Sequence, residues 1–212
     1  MTLKLVEDLT SAQHLVVLGG FACDGDPTLP AGTRSLLLLG PAWDFWAHLQ
    51  TQPEWNQPDR VDRWSRRVIG RLAGELDATA LFPFGGPPWK PFHQWALRTG
   101  QIWDSPVRLL VHADQGLMVS FRGALALRQH ITLPEPPAKP CDSCAQPCRN
   151  ACPVSALTPQ GYDTAACHAF LDTAAGTDCM NSGCAVRRTC PLSIGHARMQ
   201  NQSAYHMRQF HR

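Results

Sequence analysis

A chain of 212 residues is long enough to bury one sizeable core, or one core plus a small module, and its 44% hydrophobic and 17% charged content excludes a disordered or fibrous polypeptide. A formal net charge of +2, with no dense Lys/Arg run, gives no electrostatic case for nucleic acid as a partner. The opening "MTLKLVEDLTSAQHLVVLGGF" has neither the positive start nor the long apolar core of a secretory signal, and no uninterrupted apolar run reaches the ~18–20 residues of a membrane span, so a cytoplasmic protein with no membrane partner is expected.

In chain order, "HLVVLGGF" and "RSLLLLG" are short apolar runs ended by glycine and read as buried strands. Between Pro58 and Leu81, Val61, Trp64, Val68, Leu72 and Leu76 recur at helical intervals with Arg60, Arg63, Arg67, Arg71 and Glu75 on other faces, which predicts an amphipathic helix. The loop "LFPFGGPPWKPFHQWALR" runs into a second helix from about Phe92 to Arg98. "VRLLVHADQGLMVSFRGALAL" reads as a β-hairpin turning at "ADQG". The prolines of "LPEPPAKP" then favour an extended linker. The expected organisation is an α/β (α+β) domain over residues 1–133, a proline-rich linker over 134–140, and a cysteine-bearing module over 141–212.

Eight of nine cysteines fall in that module, and in a reducing compartment such clustering points to metal or redox chemistry. Cys141, Cys144, Cys148 and Cys152 form C-x2-C-x3-C-x3-C-P, one residue longer in the middle than the dicluster ferredoxin run, in which the cysteine before proline ligates the other cluster. The second Cys-Pro pair is Cys190-Pro191. Two 4Fe-4S clusters follow as the reading, one on Cys141, Cys144, Cys148 and Cys190, the other on Cys152, Cys167, Cys179 and Cys184. Structural zinc, disulfides, and one cluster with spare thiols stay open alongside it. Cys23 reads as an inert core or loop thiol. Arg149, Arg187 and Arg188 stand close to these cysteines and would offset the charge of a cluster, or are plain solvated charge.

The run "CDSCAQPCRNACPVSAL", then "CHAFL", then the final Cys-Pro resemble the dicluster module of epoxyqueuosine reductases and of the related reductive dehalogenases. The resemblance implies a small bacterial ferredoxin-like domain, with Cys167 serving the second cluster, downstream of a corrinoid-binding domain with a nitroreductase-like mixed sheet. "LLVHADQGLMVSFRGALAL" is similar to a segment of cobalamin-processing proteins of the methylmalonic aciduria type C family, which implies cobalamin in the first domain and Arg122 and Gly123 beside it. His93 and His112 are the candidate polar contacts to such a ligand, and Trp89, Phe92 and Trp95 are candidate walls; packed histidines and core rings are the competing readings. Two departures are plain. "FGGPPWKPFHQW" carries no Asp or Glu where the epoxyqueuosine reductases have a catalytic acid, and Tyr162 and Tyr205, the only tyrosines, both lie in the tail.

The function expected is an iron-sulfur redox protein relaying single electrons through two 4Fe-4S clusters, with a corrinoid as acceptor and a redox protein as donor or acceptor. Its rivals are a plain electron-carrier ferredoxin with a partner-docking N-terminal domain, a non-enzymatic cobalamin chaperone with structural clusters, and an oxidoreductase using water or His93 as proton donor. The end "YHMRQFHR" reads as a frayed helix or a docking tail.

Overall fold

In the computed structural model, which describes residues 1–196 and 198–211, the chain divides into two compact units. The first is Met1–Ile102 with Ser120–Pro137, and the second is Trp103–Val119 with Ala138–Arg212. The excursion Trp103–Val119 groups with the cysteine-bearing segment.

The elements run α1 (Leu3–Ser11), β1 (Leu15–Ala22), β2 (Ser35–Pro41), α2 (Phe45–Gln50), α3 (Arg60–Glu75), β3 (Ala78–Leu81) and α4 (Phe92–Arg98). A two-stranded ladder of β4 (Ile102–Asp104) and β5 (Leu110–His112) follows, then β6 (Gly123–Leu127). Next come β7 (Leu157–Thr158), β8 (Gly161–Tyr162), α5 (Thr164–Leu171), α6 (Thr177–Ser182), α7 (Ala185–Thr189), α8 (Pro191–His196) and α9 (Gln200–Phe210). No helix among the described residues is long and apolar enough to cross a membrane.

The first unit is built on a four-stranded sheet of order β1-β2-β6-β3, antiparallel at all three pairings, and not the mixed sheet expected. Every residue of β2 and of β6 is buried, so "SLLLLGP" and "GALAL" are continuous apolar runs because both faces are covered. Helix α3 turns Val61, Trp64, Val68, Ile69 and Leu72 inward. Trp64 meets Phe45 edge-on, with ring centroids 4.9 Å apart. The predicted helix over 58–81 stops at Glu75, because Asp77 adopts a left-handed conformation (φ 48°) that reverses the chain into β3.

The predicted hairpin is also corrected. Its turn forms, with His112 and Gly116 exchanging N–H···O bonds of 3.0 and 3.1 Å, yet its arms part. β5 pairs with β4, whereas β6 is hydrogen-bonded to β2 on one side and β3 on the other. A strand buried on both faces needs partners for both rows of backbone groups, and a two-stranded hairpin would have left one row of β6 unpaired.

Asp26, in the β1–β2 loop, joins that loop to α4. Its carboxylate accepts from the Arg98 guanidinium and, at 2.6 and 2.8 Å, from the Thr28 hydroxyl and N–H. The Arg98 bond first, then the Thr28 bonds against some desolvation, hold the Asp26 carboxyl down at about 2. The depressed group stabilises the fold fully above the ordinary carboxylate range and loses that contribution as pH falls through about 2. Asp26→Asn is therefore expected to cost roughly 1 kcal/mol at neutral pH, and urea midpoints of the two proteins should converge as the pH approaches 2.

Candidate functional site

The cysteine-bearing loop of the second unit is shaped by two residues in the left-handed region, Gln146 (φ 54°) and Ser155 (φ 51°), a conformation uncommon for side chains of either type. Each turns a backbone N–H onto a sulfur. Gln146 N–H donates to Cys144 Sγ at 3.3 Å, and Ala156 N–H, just past Ser155, donates to Cys152 Sγ at 3.2 Å. The Gln146 side chain also donates to the Cys141 carbonyl at 3.1 Å, and Pro147 opens the short 3-10 turn Pro147–Asn150 that carries Cys148. The extra residue in C-x3-C is thus spent on the left-handed reversal before Pro147.

The later cysteines sit at helix ends and on short helices. Asp163 caps α5 by accepting from Ala166 N–H at 2.9 Å, which positions Cys167 on that helix. Cys179 lies on α6, Cys184 precedes α7, and Cys190 ends α7 immediately before Pro191 begins α8, where a proline costs no helical hydrogen bond.

Cys148 and Cys190 are buried in one apolar cluster with Val107, Val111, Leu117, Leu157 and Val186, and Cys141, Cys152 and Cys184 pack against it. The excursion therefore supplies three of the five residues of that cluster other than cysteine. Gly116 on its turn (φ 56°) approaches so closely that an added Cβ would lie 2.9 Å from Cys190 Sγ and 2.7 Å from Ser193 N.

Burial pushes Cys141 and Cys148 up, and thiol neighbours add to it: Cys148, Cys144 and Cys190 act on Cys141, and Cys190 and Cys144 act on Cys148. In the other set, burial raises Cys167 and Cys179. The Tyr162 hydroxyl opposes it at Cys167 and the Ala185 N–H opposes it at Cys179, while Cys184, Cys152 and Cys179 raise Cys167 further. The thiols acting on Cys141 belong to one four, Cys141, Cys144, Cys148 and Cys190, and those acting on Cys167 to another, Cys152, Cys167, Cys179 and Cys184, while one apolar cluster takes in members of both. Thiols raised in this way keep their protons until a cation displaces them. Arg187 donates to the Leu117 carbonyl, and although burial lowers its pKa, Cys184 and Tyr162 pull the other way, so a guanidinium stands beside the second four.

Among the described residues, no three His, Cys, Asp or Glu side chains converge as ligands of one metal ion would. A cubane sets a different requirement, four thiolates shared among its irons, and the donor chemistry of each four matches that requirement.

Compared with protein-family models, curated proteins and solved structures, the chain matches none.

The residues singled out for a corrinoid are divided between the two units. His93 is exposed on α4. His112 is buried in the second unit, where its Nδ1 accepts from the N–H groups of Asp114 and Gln115 at 3.0 and 3.2 Å and staples the turn. Arg122 belongs to the first unit, donating to Ser120 Oγ at 3.3 Å and lying 3.8 Å from Asp62. Gly123 serves packing, since a Cβ there would meet Ile69 Cδ1 at 2.8 Å and the Leu81 carbonyl at 3.0 Å. Phe92 and Trp95 are core rings 5.1 Å apart, while Trp89 is 66% exposed.

Cys23 is buried in the first unit, whereas the other eight cysteines belong to the second. Burial, against the nearby Arg98, pushes its thiol up to about 11. In the folded protein at pH 8 it is expected to react with iodoacetamide roughly a hundredfold more slowly than a free thiol, as peptide mapping would read.

Reading the sequence missed the Tyr162 hydroxyl, which donates to Cys167 Sγ at 3.3 Å. Nothing in the one-dimensional order aims that side chain at a sulfur.

Proposed function

We propose that the chain is an iron-sulfur electron carrier holding two 4Fe-4S clusters, one on Cys141, Cys144, Cys148 and Cys190 and one on Cys152, Cys167, Cys179 and Cys184, and exchanging single electrons with redox protein partners. The observation that supports this reading is the pattern of influence among the thiols, Cys144, Cys148 and Cys190 acting on Cys141 and Cys152, Cys179 and Cys184 acting on Cys167, with Cys148 and Cys190 buried among Val107, Val111, Leu117, Leu157 and Val186. Each cluster, when bound, supplies a one-electron couple.

The protein's own part is fourfold. The thiols give up protons to hold the irons, and the apolar wall keeps water from the sulfurs. N–H groups of Gln146 and Ala156 donate to Cys144 and Cys152, stabilising negative charge on the ligands. Arg187 adds a fixed positive charge near Cys184. Of the residues expected to contact a corrinoid, Gly123 is engaged in packing, His112 in a turn and Arg122 in an ion pair.

Protein purified and reconstituted without oxygen is expected to contain about eight irons and eight acid-labile sulfides per chain, and to lose visible absorbance on reduction. A stable zinc content without sulfide would overturn the proposal.

A further inference from the structure

Tyr162 ends a small hairpin. β7 and β8 pair Leu157 with Tyr162 and Thr158 with Gly161, and the next residue, Asp163, caps the helix that carries Cys167. These two anchors set the side chain against the first turns of α5, so that its hydroxyl donates to Cys167 Sγ at 3.3 Å. A clasp from the end of α9 holds the ring. Phe210 stacks on Tyr162, with centroids 6.1 Å apart and planes at 15°, and also meets His168 at 4.6 Å. His211 completes the clasp, its Nδ1 2.6 Å from His168 Nδ1 and its Nε2 2.8 Å from Asp172 Oδ1.

This bond differs in kind from the others at the thiols. Donors to Cys144 and Cys152 are backbone N–H groups a few residues along the same loops, and they come with the loop fold. Tyr162 is a side-chain donor placed by separate elements. An O–H donor to a ligand sulfur gains strength as electron density on that sulfur rises, so it favours the reduced form and raises the potential.

Building on the two-cluster reading above, we infer that the Tyr162 hydroxyl sets the reduction potential of the centre held by Cys152, Cys167, Cys179 and Cys184, and that Phe210 keeps the hydroxyl on its sulfur. Tyr162 acts through Cys167 and is a positioning residue for the electron's resting place.

The test compares full-length wild type, Tyr162→Phe and Phe210→Leu, each reconstituted without oxygen, analysed for iron and sulfide, then titrated potentiometrically under paramagnetic resonance. Two couples are expected in the wild type. In Tyr162→Phe one couple moves to lower potential and the other stays in place, with metal content unchanged; Phe210→Leu moves the same couple by less. The couple that moves should be the one that persists in Cys190→Ala. Full metal content with no shift in Tyr162→Phe, or an equal shift of both couples, overturns the inference and leaves the two-cluster reading standing. Wild type without iron and sulfide overturns both.

Discussion

Replacing Cys190 with alanine is expected to cut the iron and sulfide of reconstituted protein from about eight to about four per chain, while Cys23→Ala leaves both unchanged. Cys190 is far in sequence from Cys141, Cys144 and Cys148, yet it shares a buried cluster with Cys148 and acts on both Cys141 and Cys148. Three thiolates on one loop leave the first centre short of its fourth ligand, and the remaining four cysteines are untouched. Iron and sulfide analysis reads the result directly. Full occupancy in Cys190→Ala would mean that the thiols are partitioned differently from the two fours described here.

Gly116→Val should cost about 2–5 kcal/mol, the sum of a left-handed penalty for a branched residue and of overpacking, and should also hinder loading of the first centre. The new Cβ would stand 2.7 Å from the Ser193 backbone nitrogen and 2.9 Å from both Cys190 Sγ and Leu192 Cβ. A backbone atom at the start of α8 cannot move aside as the end of a long side chain does, so Cys190 must shift with it. Gly70→Ala is the control. That glycine is exposed on α3 with nothing within 4 Å of an added Cβ, and alanine there should stabilise by roughly 0.5–1 kcal/mol. Urea unfolding of both variants, with metal analysis of the first, checks the pair of outcomes.

The local elements of the first unit were legible where one signal acted alone. β1 and β2 come from apolar runs bounded by breakers, and α4 covers Phe92–Arg98 as its sequence suggested. Legibility failed where the partner decided. "GALAL" reads equally as the arm of a hairpin or as a central strand, and only β2 and β3 on its two edges settle it. At the candidate site the cysteine spacing is plain in one dimension, but the left-handed turns at Gln146 and Ser155 are not, because neither residue type announces that conformation. The contact of Gly116 with Cys190 and the bond from Tyr162 to Cys167 arise from packing between segments, to which spacing rules are blind.

The excursion Trp103–Val119 also constrains how the protein can be made. On the ribosome, residues emerge in order at ~5–20 per second. The first unit cannot complete its sheet until β6 has left the exit tunnel, because β6 lies between β2 and β3. By then Val107, Val111 and Leu117 have already emerged, and their companions Val186 and Cys190 follow only seconds later. In that interval an apolar segment waits without its core, a natural target for holdase chaperones, and the packing of Gly116 against Cys190 can only follow the emergence of Cys190.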